Sequence, residues 1–207
     1  MTEAFAPEVV PWVPWSPADA VARLDGVDAP WCVAAGWAID LFLGGVPREH
    51  EDLELAVPAE RSAEVFAALE PLEPYLVQSG RALPLAGAAE FLALGVHQTW
   101  MLDREHACWR LDVFREPSDD DMWVCRRDAS IRMGYDELIR RTPDGIPYLR
   151  PDVTLLFKAK HTRPKDEGDF AAALPRLAPE ERRWLRDGLD LVHPGHRWLP
   201  VLAACGD

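Results

Sequence analysis

The chain has no C-x-x-C pair, and its four cysteines (Cys32, Cys108, Cys125 and Cys205) are scattered along its length. That spacing implies neither a zinc site nor a disulfide framework, and the expectation is buried free thiols. No apolar run approaches the ~20 residues a membrane span needs. The N-terminal stretch lacks the basic lead and apolar core of a signal peptide, so the chain is expected in the cytoplasm. There is no Walker loop, no G-x-S-x-G, no zinc-protease spacing among the six histidines and no internal repeat. Cations are scarce as well: 22 Lys and Arg stand against 35 Asp and Glu, a net charge of -13. A field of that sign disfavours nucleic acid as a partner and favours small cationic substrates and metal ions.

What is present is an ordinary globular composition, 48% hydrophobic and 28% charged over 207 residues. One domain with a small appendage fits that length. The reading is an α/β core over 1–150 followed by a helical segment over 151–207. Three prolines and two tryptophans keep residues 1–15 out of a regular helix and predict an extended path over the surface. Ser16 before Pro17 predicts a capped helix. Strands are predicted at Trp31–Ala35, Leu53–Val57, Tyr75–Ser79, Phe91–Leu94, Gln98–Leu102, Trp109–Arg115 and Met122–Cys125, with a loop over 80–90. Helices are predicted at Trp37–Leu43, Ala59–Glu70, Asp152–His161, Lys165–Leu174 and Pro179–Val192.

Three groupings carry chemistry. Gly36 follows a short strand and opens a helix, where the backbone approaches a phosphate closely and free N–H groups point outward. Asp52 and Glu54 alternate on a strand and so share one face. Asp112 sits in an apolar strand, where a carboxylate has to be paired, neutralised or bound to metal. If the two strands are neighbours, the three acids form an oxygen-rich site suited to magnesium, which would take the rest of its shell from nucleotide phosphates. Two such ions would orient the attacking and leaving oxygens of a phosphoryl group. The third grouping is cationic: Arg48 ahead of the acidic strand, and Lys158, Lys160, Arg163 and Lys165 in FKAKHTRPK. His50 either touches a phosphate or caps the bend. Asp119, Asp120 and Asp121 read as a solvated turn that could also recruit amines.

The segments AGWAIDLFLG, PREH, EDLELAV, RLDVF and LLFKAKHTRPKDEGDF resemble the nucleotidyltransferase superfamily over 30–175. They are most similar to small bacterial proteins related to aminoglycoside 2''-adenylyltransferase and lincosamide nucleotidyltransferase. The resemblance implies a mixed, twisted sheet flanked by helices, with a C-terminal helical segment. It gives Gly36 and Trp37 the phosphate-turn role, and Asp52, Glu54 and Asp112 the role of metal ligands. Asp112 doubles as the group that orients or deprotonates an acceptor hydroxyl, and Lys158 lies near the nucleotide. The implied reaction moves a nucleoside monophosphate from a magnesium-bound nucleoside triphosphate, ATP by preference, to a small acceptor such as an aminoglycoside. Ala35 stands where a second glycine is usual and Glu54 where aspartate is commoner. Those departures keep two alternatives open: a degenerate fold that binds nucleotide or a partner, and transfer to a macromolecule.

Overall fold

The computed structural model describes residues 4–45 and 49–205. In chain order the elements are α1 (Pro17–Arg23), β1 (Cys32–Val33), α2 (Ala35–Leu43), β2 (Glu54–Pro58), α3 (Ser62–Ala68), β3 (Glu73–Gln78), β4 (Arg81–Pro84) and α4 (Ala89–Ala93). They continue with β5 (Gln98–Asp103), β6 (Cys108–Glu116), β7 (Ser118–Asp119), β8 (Met122–Val124), β9 (Arg132–Gly134), α5 (Tyr135–Leu138), β10 (Ile139–Arg141) and β11 (Pro147–Leu149). Four helices close the chain: α6 (Pro151–Lys158), α7 (Pro164–Ala173), α8 (Pro179–Val192) and α9 (Leu199–Ala204).

Eight strands form one mixed sheet in the order β10-β11-β1-β2-β6-β5-β3-β4. β1 runs parallel to β11 and β2 parallel to β6, while the other neighbours are antiparallel. Strands β7 to β9 make a small second sheet. The pleat sorts the central strands cleanly. Leu55 and Val57 of β2 and Leu111 and Val113 of β6 enter the main core with Ala20 of α1, Leu24 just after it, and Val65 and Phe66 of α3. Alternate residues go to the opposite face, among them Glu54 on β2 and Asp112, Phe114 and Glu116 on β6.

That opposite face is closed at one end by the N-terminal segment. Phe5 bridges to Ala82, Trp12 bridges to Trp109, and the Trp109 indole donates to the Pro7 carbonyl at 3.0 Å. Trp12 meets Trp100 edge-on at 4.9 Å. The predicted extended path holds, and it also packs an aromatic layer onto β3, β5 and β6.

Local signals act as their chemistry dictates. Ser16 accepts from the Asp19 amide while Asp19 accepts from the Ser16 amide at 2.8 Å, a reciprocal cap that fixes the start of α1. Gly44, at φ +72°, ends α2 in the left-handed region. The helices α6 to α9 share a second cluster, including Leu156, Phe170, Leu189 and Trp198, and Ile39 of α2 enters it. Among the described residues no helix is long and apolar enough to cross a membrane.

Three predictions need correction. The loop expected over 80–90 contains β4, which is held by Phe5 on one side and β3 on the other. The strand expected at Phe91–Leu94 is the helix α4, because only Phe91 is buried there while Leu92 and Leu94 are exposed. Cys205 is exposed, whereas the other three cysteines are buried and free as expected.

Candidate active site on the open half of the sheet

The uncovered part of the sheet face, walled by α2, α5, α6 and α7, forms a cavity of about 780 Å³. That size suits a drug-sized or nucleotide-sized ligand. Register decides which side chains share its face: Asp52 and Glu54 line the cavity, while Asp112 lies on the same face without lining it. β2 and β6 pair with Glu54 opposite Asp112, so these two carboxylates project to the same side from neighbouring strands. Asp52 precedes Glu54 by two residues and shares that side. A slip of one residue would have sent Asp112 into the apolar core.

Asp112 is 3% exposed. Its Oδ2 accepts from Gln98 Nε2 at 2.8 Å, while Oδ1 is buried with no hydrogen-bond partner. The Trp100 indole N–H, from the residue paired with Asp112 across β5, is likewise buried and unbonded. Burial pushes the Asp112 carboxyl up to about 7, against the Gln98 bond and with the help of the Asp52 charge. Burial, and then the charges of Asp52 and Asp112, raise Glu54 well above the usual range. Burial raises Asp52 too, opposed chiefly by Lys165. These are the signs of a carboxylate face short of positive charge.

The donor set suits a divalent cation in kind: oxygen ligands only, one of them an orphaned buried oxygen. In this conformation, and among the described residues, no three His, Cys, Asp or Glu side chains converge closely enough to hold a metal. The carboxylates share a face, not a single point.

At the cavity rim, α2 presents its N-terminus. Ala34 caps it in extended conformation and donates its N–H to Glu54 O at 2.8 Å, which ties the turn to β2. Ala35 is held at φ +49°, a left-handed conformation that disfavours a residue with a Cβ. Gly36 is buried in the cavity wall as expected. Trp37 does not line the cavity. It stacks on the His50 ring at 4.3 Å, and His50 Nε2 meets Asp40 Oδ2 at 2.6 Å. Both partners of that pair are buried, so His50 anchors the 49–52 stretch to α2 while also lining the cavity. Arg48 lies outside the described residues.

Lys158 lines the cavity and acts on Glu54, and it is also tied to two acids. Its Nζ sits 3.0 Å from Asp166 Oδ1 and 2.8 Å from Asp169 Oδ2, buried between α6 and α7. It is neutralised there and serves the helix junction first. Lys160, Arg163 and Lys165 line the cavity, and Lys165 is the cation with the strongest pull on Asp52. The three-aspartate run is a hairpin turn in which Asp119 Oδ2 meets Arg132 Nη1 at 2.5 Å, and it lies off the cavity.

Several residues escaped sequence reasoning. Gln98 aims Asp112; the available signal was its position in phase with Trp100 on a strand. Glu116 continues the phase of Asp112 and Phe114, is 4% exposed, and pairs through Oε1 with Arg126. The Arg126 guanidinium lies 4.3 Å from the Phe157 ring centroid. Arg127 donates to the carbonyls of Leu156 at 2.9 Å and Phe157 at 2.6 Å, closing the end of α6. Among the described residues, six carboxylate side chains and six lysines or arginines line the cavity. The strong negative charge of the chain is therefore not concentrated in it.

Comparison with known proteins places this geometry. A family model for aminoglycoside-2''-adenylyltransferases matches residues 18–74, the part that carries Gly36, Asp52 and Glu54 but not Asp112. Curated 2''-aminoglycoside nucleotidyltransferases from Escherichia coli and Klebsiella pneumoniae are each 42% identical over 52 residues, which is 25% of this chain and 29% of theirs. The chain thus spans less than a third of the length of these relatives. Among solved structures, a lincomycin-bound lincosamide antibiotic adenylyltransferase, LnuA, superposes with a TM-score of 0.51 at 15% identity, covering 75% of this chain and 92% of that one. The solution structure of the antibiotic-resistance factor ANT(2'')-Ia gives 0.55 at 17% identity over 91% and 94%. The complex of ANT(2'')-Ia with adenylyl-2''-tobramycin gives 0.54 at 17% over 84% and 94%. The nucleotidyltransferase fold read from the sequence is borne out, as is the resemblance to this group of proteins.

Proposed function

We propose that this nucleotidyltransferase-fold chain transfers a nucleoside monophosphate from a nucleoside triphosphate, ATP by likeness to its relatives, to a hydroxyl of a small acceptor. The observation that carries this reading is the register of β2 on β6, which sets Glu54 beside Asp112, with Asp52 two residues away, on a face that opens into a cavity rimmed by a helix N-terminus.

The parts divide as follows. The first-turn amides of α2, at Ala35 and Gly36, meet phosphate oxygens, and the helix dipole favours the negative charge. Lys160, Arg163 and Lys165 offset the remaining charge, so the 151–207 segment supplies the cationic wall while the core to residue 150 supplies the acids. Asp52, Glu54 and Asp112 would hold magnesium, two ions by family likeness, which when bound lowers the charge on the phosphoryl group. Asp112 Oδ1, free of any protein donor, accepts the proton of the acceptor hydroxyl. The hydroxyl oxygen then bonds to the α-phosphorus as the bond to pyrophosphate breaks. Such an enzyme would work in the cytoplasm on small antibiotics.

A pyrophosphate-release assay with magnesium, each nucleoside triphosphate, and panels of aminoglycosides and lincosamides tests this directly. Release that depends on one acceptor is the expected result. A melt of the protein with magnesium and ATP near 100 times the dissociation constant should gain about 2.7 kcal/mol. One observation favours the second reading, a nucleotide-binding protein without turnover: the three carboxylates do not converge in this conformation. Nucleotide binding without pyrophosphate release from any acceptor would select it, and no response to any nucleotide would end both.

A further inference from the structure

The carboxylate end occupies only part of the cavity. Four residues further along β6 from Asp112, about 13 Å at strand rise, Glu116 also lines the cavity. Its Oε1 is taken by Arg126, but Oε2 is buried without a hydrogen-bond partner. The Tyr135 hydroxyl is a second buried polar atom with no bond in the protein, and it lines the same cavity. Both groups line this one cavity, where burial holds the Tyr135 phenol up to about 12, Ser118 opposes this without forming a full hydrogen bond, and the Glu116 charge adds to it. Phe114, Trp123, Leu138 and Phe157 supply apolar wall around them. Buried polar atoms are almost always bonded, so two orphans in one apolar recess mark a place where a ligand completes the bonding.

The charges there decide what kind of ligand. Glu116 is already neutralised by Arg126, and Arg127 adds a second guanidinium to the wall. The surplus is positive and visible on its neighbours. Burial, then Arg126, lowers Arg127 to about 10; burial, then Arg126, Arg115 and Lys160, lowers His97 to about 4. An ammonium group entering this end meets two guanidinium groups and one spent carboxylate.

We propose that the recess between Glu116 Oε2 and the Tyr135 hydroxyl is a binding subsite for an uncharged hydrogen-bond donor, a hydroxyl or amide N–H, carried on a partly apolar ring, and that it excludes ammonium groups. Resting on the transferase reading above, this subsite seats the acceptor end remote from the transferred group. The acceptor is then neutral or lightly charged at that end, contrary to what the net charge of the chain suggests.

The test is a titration of the full chain with two probes, phenyl β-glucoside and its 2-amino counterpart, read by calorimetry and melting, with magnesium-ATP titrated in parallel. The neutral probe is expected to bind at least about tenfold more tightly than the amine. Tyr135→Phe should weaken it about tenfold while leaving the unliganded melt unchanged or raised, because the hydroxyl bonds nothing in the free protein. Glu116→Gln should weaken it similarly. Tighter binding of the amine overturns the proposal, as does absence of binding by either probe or indifference to Tyr135→Phe. Loss of ATP affinity in Tyr135→Phe with glycoside binding intact also overturns it, since the recess would then hold the base of the nucleotide. Failure of wild-type protein to bind ATP while glycoside binding persists sinks the transferase reading and leaves the subsite standing.

Discussion

The two ends of the cavity share one sheet face and one strand, β6, yet their electrostatics are opposite. At the near end burial raises the carboxyls of Asp52, Glu54 and Asp112, with the Asp52 charge adding to the rise at Glu54 and Asp112 and the Glu51 charge adding to it at Asp52. At the far end a single carboxylate is outnumbered by Arg126 and Arg127, and His97 is held neutral. The lesson is that net charge describes the envelope of a protein and not its interior. A chain at -13 builds a cavity lined evenly by both signs. On the proposed reading, triphosphate and any metal would take the first end, and an uncharged donor the second.

The comparison can be broken most decisively at Asp112. Asp112→Asn removes the carboxylate proposed to accept the hydroxyl proton, and turnover in the pyrophosphate assay should fall about a thousandfold. The unliganded melt should stay level or rise, because a buried, repelled charge is deleted. Full turnover in this variant would remove Asp112 from the chemistry.

Next in size is Lys158→Met. It removes the cation that the buried Asp166 and Asp169 share and should cost about 3 kcal/mol in chemical denaturation. If nucleotide affinity collapsed with stability intact, Lys158 would belong to the ligand and not to the α6–α7 junction.

A pH titration sharpens the same point. Burial alone would raise Asp166, but bonds from Arg163 and Lys158 overcome it and hold the carboxyl well below its usual range. A depressed carboxyl contributes stability that is present above its ordinary value of 3.8 and is lost as pH falls further. The wild-type midpoint should therefore drop below pH 4 more steeply than that of Asp166→Asn. Parallel curves would show that the pair contributes little.

The smallest expected effect is at the rim. Ala35→Gly relieves a left-handed alanine and should raise stability by up to about 1 kcal/mol. It would also restore the double glycine of the family pattern, so an accompanying gain in ATP affinity would place Ala35 against phosphate. A loss of stability would mean that the strain is absent in solution.

Much of this was legible in advance. The alternation of Leu53, Leu55 and Val57 with Asp52 and Glu54 sorts the faces of β2, and the same period in RLDVF sorts β6. Gly44 and Ser16 announce helix ends. Residues 80–94 were not legible, since short alanine-rich and apolar runs support a strand or a helix equally well. Burial of Phe91 against Leu76, Leu83 and Ala88 settled the matter in favour of a helix. Lys158 looked like a phosphate ligand because a lone lysine after an apolar run looks the same whether it reaches solvent, a ligand or a buried acid. Asp166 and Asp169 are close to it only once α7 folds back. The Glu116–Arg126 pair and Gln98 gave no sequence signal beyond strand phase.

The sequence alone determined which side chains share a face, because the two-residue period of a strand is a property of the covalent chain. It also determined where helices start and stop, because caps, glycines and prolines act within a few residues. Which faces meet was decided by the tertiary structure. Only the pairing of β2 with β6 brings Glu54 to Asp112, across more than fifty residues of chain. Only the fold-back of α6 and α7 gives the cavity-lining Lys158 its buried partners Asp166 and Asp169. Electrostatic interactions depend on distance and burial in space, and neither quantity is written in the order of the residues.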